Sequence, residues 1–471
     1  MGPPPMTNAT IVHLDHAGSS PPPPSVTQTI VDHLELELQV GGYAAQNQAV
    51  HKLNKSYQQV GDLLNASPDE IALVESATVG WQRLFYSMVQ LQEDLMVDDE
   101  ATRVILVSEA EYAAQVVAVT QFCNERKSDE TKWEVRAIPS LQSEDGRNLG
   151  IVDVEALERI LERSRTGLEK QLDHIRKETP VRGSKDGTRI VMVCVTQVPT
   201  NSGIVNPVEE IGRVIEDHNQ RRMSEYEYKT QPTLYLVDAC QSVGQMEVDV
   251  QKIRCHGLSG TGRKYLRGPR GTGFLFVQDV IADQLVPAHV DHHCAPVSFV
   301  PTDYPLSDRP INEIIRYNLK PGARRFEFWE SNIATSLGIG EAARYAAQDV
   351  GIDRIWNEIQ TKTMYLKQKL RMVPGLTIYH DHPGNVAGLV TFALGAHDSA
   401  FVAKALWSRR LETRFALSVV PATSTPLDSA VSGVPDLLRA SVSYTTTPDE
   451  IDAFAAKLVV AADRLNNAFN D

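Results

Sequence analysis

Apolar runs of strand character punctuate the first part of the chain, at Arg103–Val107, Trp133–Ile138, Arg189–Thr196, Thr233–Val237 and Thr272–Val277. Segments with the helical spacing of apolar positions lie between them. This alternation predicts an α/β fold whose large domain is built on a mostly parallel sheet with helices on both faces. In such sheets ligands bind beyond the carboxyl ends of the strands. Polar and ionisable residues gather there: Ser108-Glu-Ala-Glu-Tyr112, Gln197-Val-Pro-Thr-Asn201, Asp238-Ala-Cys-Gln-Ser242 and Lys264.

From about Asn332 the pattern changes to helix over Ile333–Ala347 and Ile352–Met372, short strands at Leu376–Tyr379 and Gly388–Leu394, and another helix. A strand at Leu437–Ser443 and an amphipathic helix from Asp449 follow. This predicts a smaller α+β C-terminal domain. The expected division is an N-terminal tail over 1–15, a segment over 16–44 joining the small domain, a large domain over 45–320 and a small domain over 321–471. Two strongly charged stretches, Glu162–Thr188 and His218–Thr230, read as solvated surface insertions.

The chain's 471 residues suffice for two domains, and 46 Lys+Arg against 60 Asp+Glu give a net charge of −14. With no long basic block, nucleic acid and anionic membrane surfaces are poor candidate partners. Met1–Thr10 lacks the charge and apolar core of a secretion signal, and no window reaches the ~18 apolar residues of a membrane span. The five cysteines are scattered without a CxxC pair and read as reduced thiols, so the expectation is a cytoplasmic enzyme.

Lys264, in Leu258-Ser-Gly-Thr-Gly-Arg-Lys264, is the most informative residue. Twenty-six positions earlier, Asp238 ends the run Thr233-Leu-Tyr-Leu-Val. A lysine that forms a Schiff base with pyridoxal phosphate needs a carboxylate for the pyridinium nitrogen, so that the ring can act as an electron sink. Alone, a strand ending in Asp or a Gly-Arg-Lys loop says little. In this order the two halves specify the cofactor.

These residues resemble fold-type-I pyridoxal-phosphate enzymes of the class V aminotransferase group. That group contains cysteine desulfurases, selenocysteine lyase, isopenicillin N epimerase-like proteins and the C–S lyases of ergothioneine synthesis. The resemblance runs from Leu14-Asp-His-Ala-Gly-Ser-Ser-Pro21 to Leu438-Arg-Ala-Ser441. It implies a seven-stranded sheet in the large domain. Lys264 would hold the cofactor and shuttle the Cα proton, Asp238 would bind the pyridine nitrogen, and Gln241 would reach the ring 3′-oxygen. Ala77 and Thr78, in Ser76-Ala-Thr78-Val-Gly80 ahead of the helical run Trp81–Leu91, would cradle the phosphate at a helix N-terminus. Thr78 reads equally as a plain N-cap. Thr261 and Arg263 would add phosphate contacts. Tyr112 stands where desulfurases carry a histidine stacked on the ring, and Thr200, or Asn201, where they carry an asparagine near the 3′-oxygen.

Arg439 occupies the position that clamps the substrate α-carboxylate, a task suited to a planar guanidinium. Ala17, in Asp15-His-Ala-Gly-Ser-Ser20, would lie near substrate, and His16 would contact ligand or cap the region that follows. His292 or His293 is a candidate substrate contact, with His293 preferred. His289-Val-Asp-His-His-Cys294 offers zinc-type ligands, but Val290 and Ala295-Pro296 argue for an extended loop, so no metal is expected. Arg325-Phe-Glu-Phe-Trp-Glu-Ser-Asn332 resembles the stretch that crosses a two-fold interface, which implies a homodimer with shared active sites and contributions from Glu330 or Ser331. No cysteine follows Cys294, and the stretch Val419–Leu427 lacks the nucleophile a desulfurase needs. The leading expectation is therefore a β-eliminating, C–S lyase-type enzyme acting on an L-amino acid. A carbon–carbon bond-forming cyclase of the loline type and an aminotransferase are the alternatives. A regulator is disfavoured, because no helix-turn-helix or basic segment accompanies the cofactor domain.

Overall fold

In a computed structural model of the chain, seven strands make the central sheet. Their order across the sheet is Ile71–Val74, Gly273–Val277, Gly257–Thr261, Leu234–Asp238, Thr188–Thr196, Thr102–Ser108 and Trp133–Ile138. The structure describes residues 10–94, 101–126, 132–144, 146–164, 188–225, 232–301, 305–308, 310–382, 384, 386–408 and 411–468. Gly273–Val277 pairs antiparallel with both of its neighbours, and the remaining pairings are parallel. Both faces are buried, which explains the nearly continuous apolar character of the inner strands. Val104, Leu106, Ile190, Val193 and Val237 enter one core, whereas Ile105, Val107, Met192, Cys194 and Leu236 enter the other. The register slips between Val104 and Ile105, so the extra residue Val191 joins Met192 in the same core.

Two strands escape the sequence pattern. Ile71–Val74 is short, and Gly257–Thr261 carries two glycines and a serine, a composition with little strand propensity. Packing decides the second: a Cβ on Gly260 would lie 2.2 Å from Phe274 Cζ, so only glycine lets the neighbouring strand carry that aromatic ring. The helix anticipated over Trp81–Leu91 spans Ala77–Asp94.

In the C-terminal part, Leu376–Ile378, Leu389–Leu394, Leu437–Ser441 and Ser418–Val420 form an antiparallel sheet, in that order. Phe392 and Leu438 of this sheet share a core with Leu366 and Leu370 of helix Ile352–Leu370 and with Phe454 and Leu458 of helix Pro448–Ala468. Residues 10–13, placed by the sequence in an N-terminal tail, instead form a strand parallel to Thr413–Ala416, and Val12 and Leu14 enter that core. Two apolar side chains on alternate positions suffice to recruit the segment once a strand edge is available. The charged stretch starting at His218 also needs correction. It opens inside helix Val208–Glu225, with His218 and Arg222 buried. Residues 165–187 and 226–230 of the two charged stretches lie outside the described residues. No helix among the described residues is long and apolar enough to cross a membrane.

Candidate active site

The sheet register brings Thr196 opposite Asp238, and Asp238 opposite Ser259, at adjacent carboxyl ends. Asp238 is buried there. Its Oδ1 accepts from the Cys240 backbone N–H at 2.8 Å, and its Oδ2 accepts from Gln115 Nε2 at 2.5 Å. Gln115 lies three residues beyond Tyr112 on the first turn of helix Ala113–Glu125. The sequence gave no reason to pair it with Asp238, because their contact spans 123 positions.

Lys264 opens into a cavity of about 240 Å³ that Asp238 also lines. Burial pushes its ammonium below the usual lysine range, against the opposing pull of Cys240 and Asp238. A lowered pKa makes the neutral amine available, which is the form that attacks a carbonyl. The same cavity gathers Ala17, Ala77, Thr78, Tyr112, Thr200 and Gln241. Thr261, Arg263 and Arg439 line it too.

Several of these side chains are held in place by the fold. Ala77 and Thr78 form the first turn of their helix, capped by Ser76 Oγ, which accepts from Val79 N–H at 3.2 Å. Thr78 therefore is not the cap. Gly273 lets the neighbouring strand pass close beneath, since a Cβ there would sit 2.6 Å from Ala77 N. Arg263 donates to the Gly18 carbonyl, and Thr261 Oγ1 lies 3.4 Å from the Thr272 carbonyl oxygen. Gln241 Nε2 donates to Ala17 O at 3.2 Å and lies 3.5 Å from Thr200 Oγ1, while its Oε1 is buried without a protein partner. Tyr112, the residue before helix Ala113–Glu125, is 41% exposed at the cavity wall.

Arg439 is buried and tightly directed. Its Nε donates to Ser418 Oγ at 3.0 Å, and one terminal nitrogen donates to Thr200 Oγ1 and O at 2.6 and 3.1 Å. Asp15 Oδ1 lies 3.7 Å from the other terminal nitrogen. Behind the cavity, Glu111 is fully buried and accepts from Ser108 Oγ, Thr196 N–H and Thr196 Oγ1, each at 2.6 Å. Burial pushes its carboxyl up to about 7, against the Ser108 and Thr196 donors.

Five expected residues lie elsewhere. Ser331, Glu330 and His293 line a second cavity of about 660 Å³, and His293 Nε2 is 3.1 Å from Lys320 Nζ. His292 packs near Trp329, with ring centroids 5.5 Å apart. His16 is buried, with Nδ1 2.8 Å from Ser20 Oγ and Nε2 3.4 Å from Thr446 Oγ1, so it braces the N-terminal turn and does not face the Lys264 cavity.

The donor set fits pyridoxal phosphate. A buried carboxylate in the same cavity could serve a ring nitrogen, a desolvated lysine can take the aldehyde, and helix N–H groups with Thr261 and Arg263 suit a dianion. The unpartnered Gln241 oxygen adds a buried polar atom that a ligand can satisfy.

The aminotransferase class-V family model matches residues 12–149 and 183–454. A probable cysteine desulfurase of Methanothermobacter thermautotrophicus is 26% identical over 399 residues, covering 84% of this chain and 81% of the relative. The cysteine desulfurase of Serratia proteamaculans is 25% identical over 457 residues, covering 95% and 92%. Among solved structures, apo cysteine desulfurase from Thermococcus onnurineus NA1 superposes with a TM-score of 0.72 at 19% identity, covering 96% of this chain and 94% of that one. The cystine C–S lyase C-DES, solved with its reaction product cysteine persulfide, superposes at 0.67 and 18% identity, covering 95% and 97%. None of these findings supports the carbon–carbon bond-forming alternative.

Proposed function

The chain belongs to the class-V aminotransferase family, whose members use pyridoxal phosphate, and from that premise we propose a C–S lyase that β-eliminates from a sulfur-bearing L-amino acid. One observation carries this choice over a desulfurase. The wall formed by Val419, Val420 and Ser424 lines the Lys264 cavity and contains no cysteine. Cys240 is the thiol nearest the chemistry, but burial, reinforced by Asp238, pushes it well above its usual value, and a thiolate is the form that accepts sulfur.

Pyridoxal phosphate supplies an electron sink for charge released at the substrate Cα. Asp238 would keep the ring nitrogen protonated, and Gln115 would hold that carboxylate in place. Arg439 would fix the α-carboxylate, so that the Cα–H bond faces Lys264. Lys264 Nζ, once free, would take the Cα proton, and the electron pair of the breaking Cβ–S bond would leave on sulfur. With cystine, one water is consumed and pyruvate, ammonia and cysteine persulfide are released. We also propose a homodimer in which Glu330 and Ser331 reach towards the other protomer's site.

Holoenzyme mixed with L-cystine and, separately, with L-cysteine tests the reading. Pyruvate and ammonia should accumulate in equal amounts, with no sulfur added to the protein mass. Alanine as the product, together with protein-bound sulfur, would make the enzyme a desulfurase instead.

A further inference from the structure

Asp428 is a buried carboxylate outside the cavity, in helix Pro426–Ser432, directly after the wall that carries Val420 and Ser424. Its Oδ2 accepts from Asn201 Nδ2 at 2.5 Å and lies 3.1 Å from His380 Nε2. Ser432 Oγ donates to its Oδ1 at 3.0 Å. Burial works against the ionised form, yet His380, Asn201 and Ser432 outweigh it and hold the carboxyl below its usual range. His380 follows strand Leu376–Ile378 and adopts a left-handed backbone, φ +49°, an uncommon conformation for a residue with a side chain.

Asn201 sits in the turn after strand Thr188–Thr196, and Thr391 Oγ1 donates to its carbonyl at 2.7 Å. Thr200, its neighbour, offers the two oxygens that orient the Arg439 guanidinium. A continuous polar path thus runs from His380 through Asp428, Asn201 and Thr200 to Arg439. It ties the cavity wall and the small-domain sheet to a turn of the large domain. Packing alone does not call for this. A buried carboxylate costs desolvation that apolar side chains of similar size avoid, and what its hydrogen bonds from Asn201 and Ser432 add is a defined geometry.

We infer that Asp428 is a positioning residue for the substrate: through Asn201 it anchors the Pro199–Asn201 turn, and thereby sets the angle at which Arg439 meets the α-carboxylate. The inference rests on the reading of Arg439 as the clamp. It makes the wall over Val419–Ser424 a fixed surface, since the helix that follows is held at Asp428.

The test compares glycine with glycinamide, which differ in the carboxylate, by titrating holoenzyme and following cofactor absorbance. The parent should bind glycine ~10- to 100-fold more tightly than glycinamide, as a charge-assisted bidentate contact requires. Asn201→Ala, which removes the anchor and leaves Asp428 its other partners, should cut that preference about tenfold while glycinamide affinity holds. Asp428→Asn keeps the shape and an acceptor for Asn201, and should fall between the two. A general structural lesion would weaken both ligands alike and overturn the inference. If Arg439→Lys abolishes the preference while Asn201→Ala and Asp428→Asn retain it, the inference fails and the clamp stands. If Arg439→Lys itself retains the preference, the clamp reading falls and the inference with it.

Discussion

Replacing Glu111 by glutamine should make the stability of the protein less dependent on pH. The carboxyl is completely buried, and burial, with a smaller contribution from Asp238, raises it from 4.5 to about 7 against the pull of Ser108 and Thr196. At ~1.4 kcal/mol for each pH unit, that displacement corresponds to ~3 kcal/mol. The sign follows from the raised value. Below the unfolded pKa of 4.5, Glu111 is protonated in both states and its contribution is fully present. As pH rises towards 7 the unfolded chain releases the proton first, so stability falls through that window and levels off above the folded value. Glutamine can satisfy the same site. Its oxygen can accept from Ser108 Oγ and Thr196 N–H, as Glu111 Oε1 does, and its amide can donate to Thr196 Oγ1 once that hydroxyl turns. Urea unfolding of cofactor-free parent and variant from about pH 4.5 to about pH 8 is the assay. The two should be close at the acid end, and Glu111→Gln should be the more stable by up to ~3 kcal/mol at the alkaline end. A difference that stays constant across this range refutes the reasoning.

Borohydride should fix the cofactor on Lys264 in the parent and fail to do so in Lys264→Ala; a reduced adduct elsewhere in that variant reassigns the lysine. For Tyr112, Phe should leave cofactor affinity unchanged. Ala should weaken it ~2- to 10-fold, the equivalent of an aromatic contact of ~0.5–1.5 kcal/mol, and equilibrium dialysis that finds parental affinity in Tyr112→Ala places the ring away from the cofactor.

Local chemistry was readable before any coordinates. Apolar runs such as Arg189–Thr196 announce buried strands, because a strand covered on both faces needs little polar alternation. Asp238 ahead of Lys264 announces the cofactor, and the absence of a cysteine after Cys294 bears directly on sulfur transfer. Eleven of the anticipated residues line one cavity, whereas Ser331 and His293 do not. What stayed hidden depends on distance across the fold. Gly257–Thr261 becomes a strand because its neighbours supply hydrogen bonds and room for Phe274 over its glycine. Residues 10–13 dock on Thr413–Ala416, about four hundred positions away. Gln115 meets Asp238 across 123 positions, Thr200 meets Arg439 across 239, and Asn201 meets Asp428 across 227. Composition and periodicity act over a few turns of chain, whereas these contacts are set by sheet register and domain packing, which exist only after the whole chain has closed on itself.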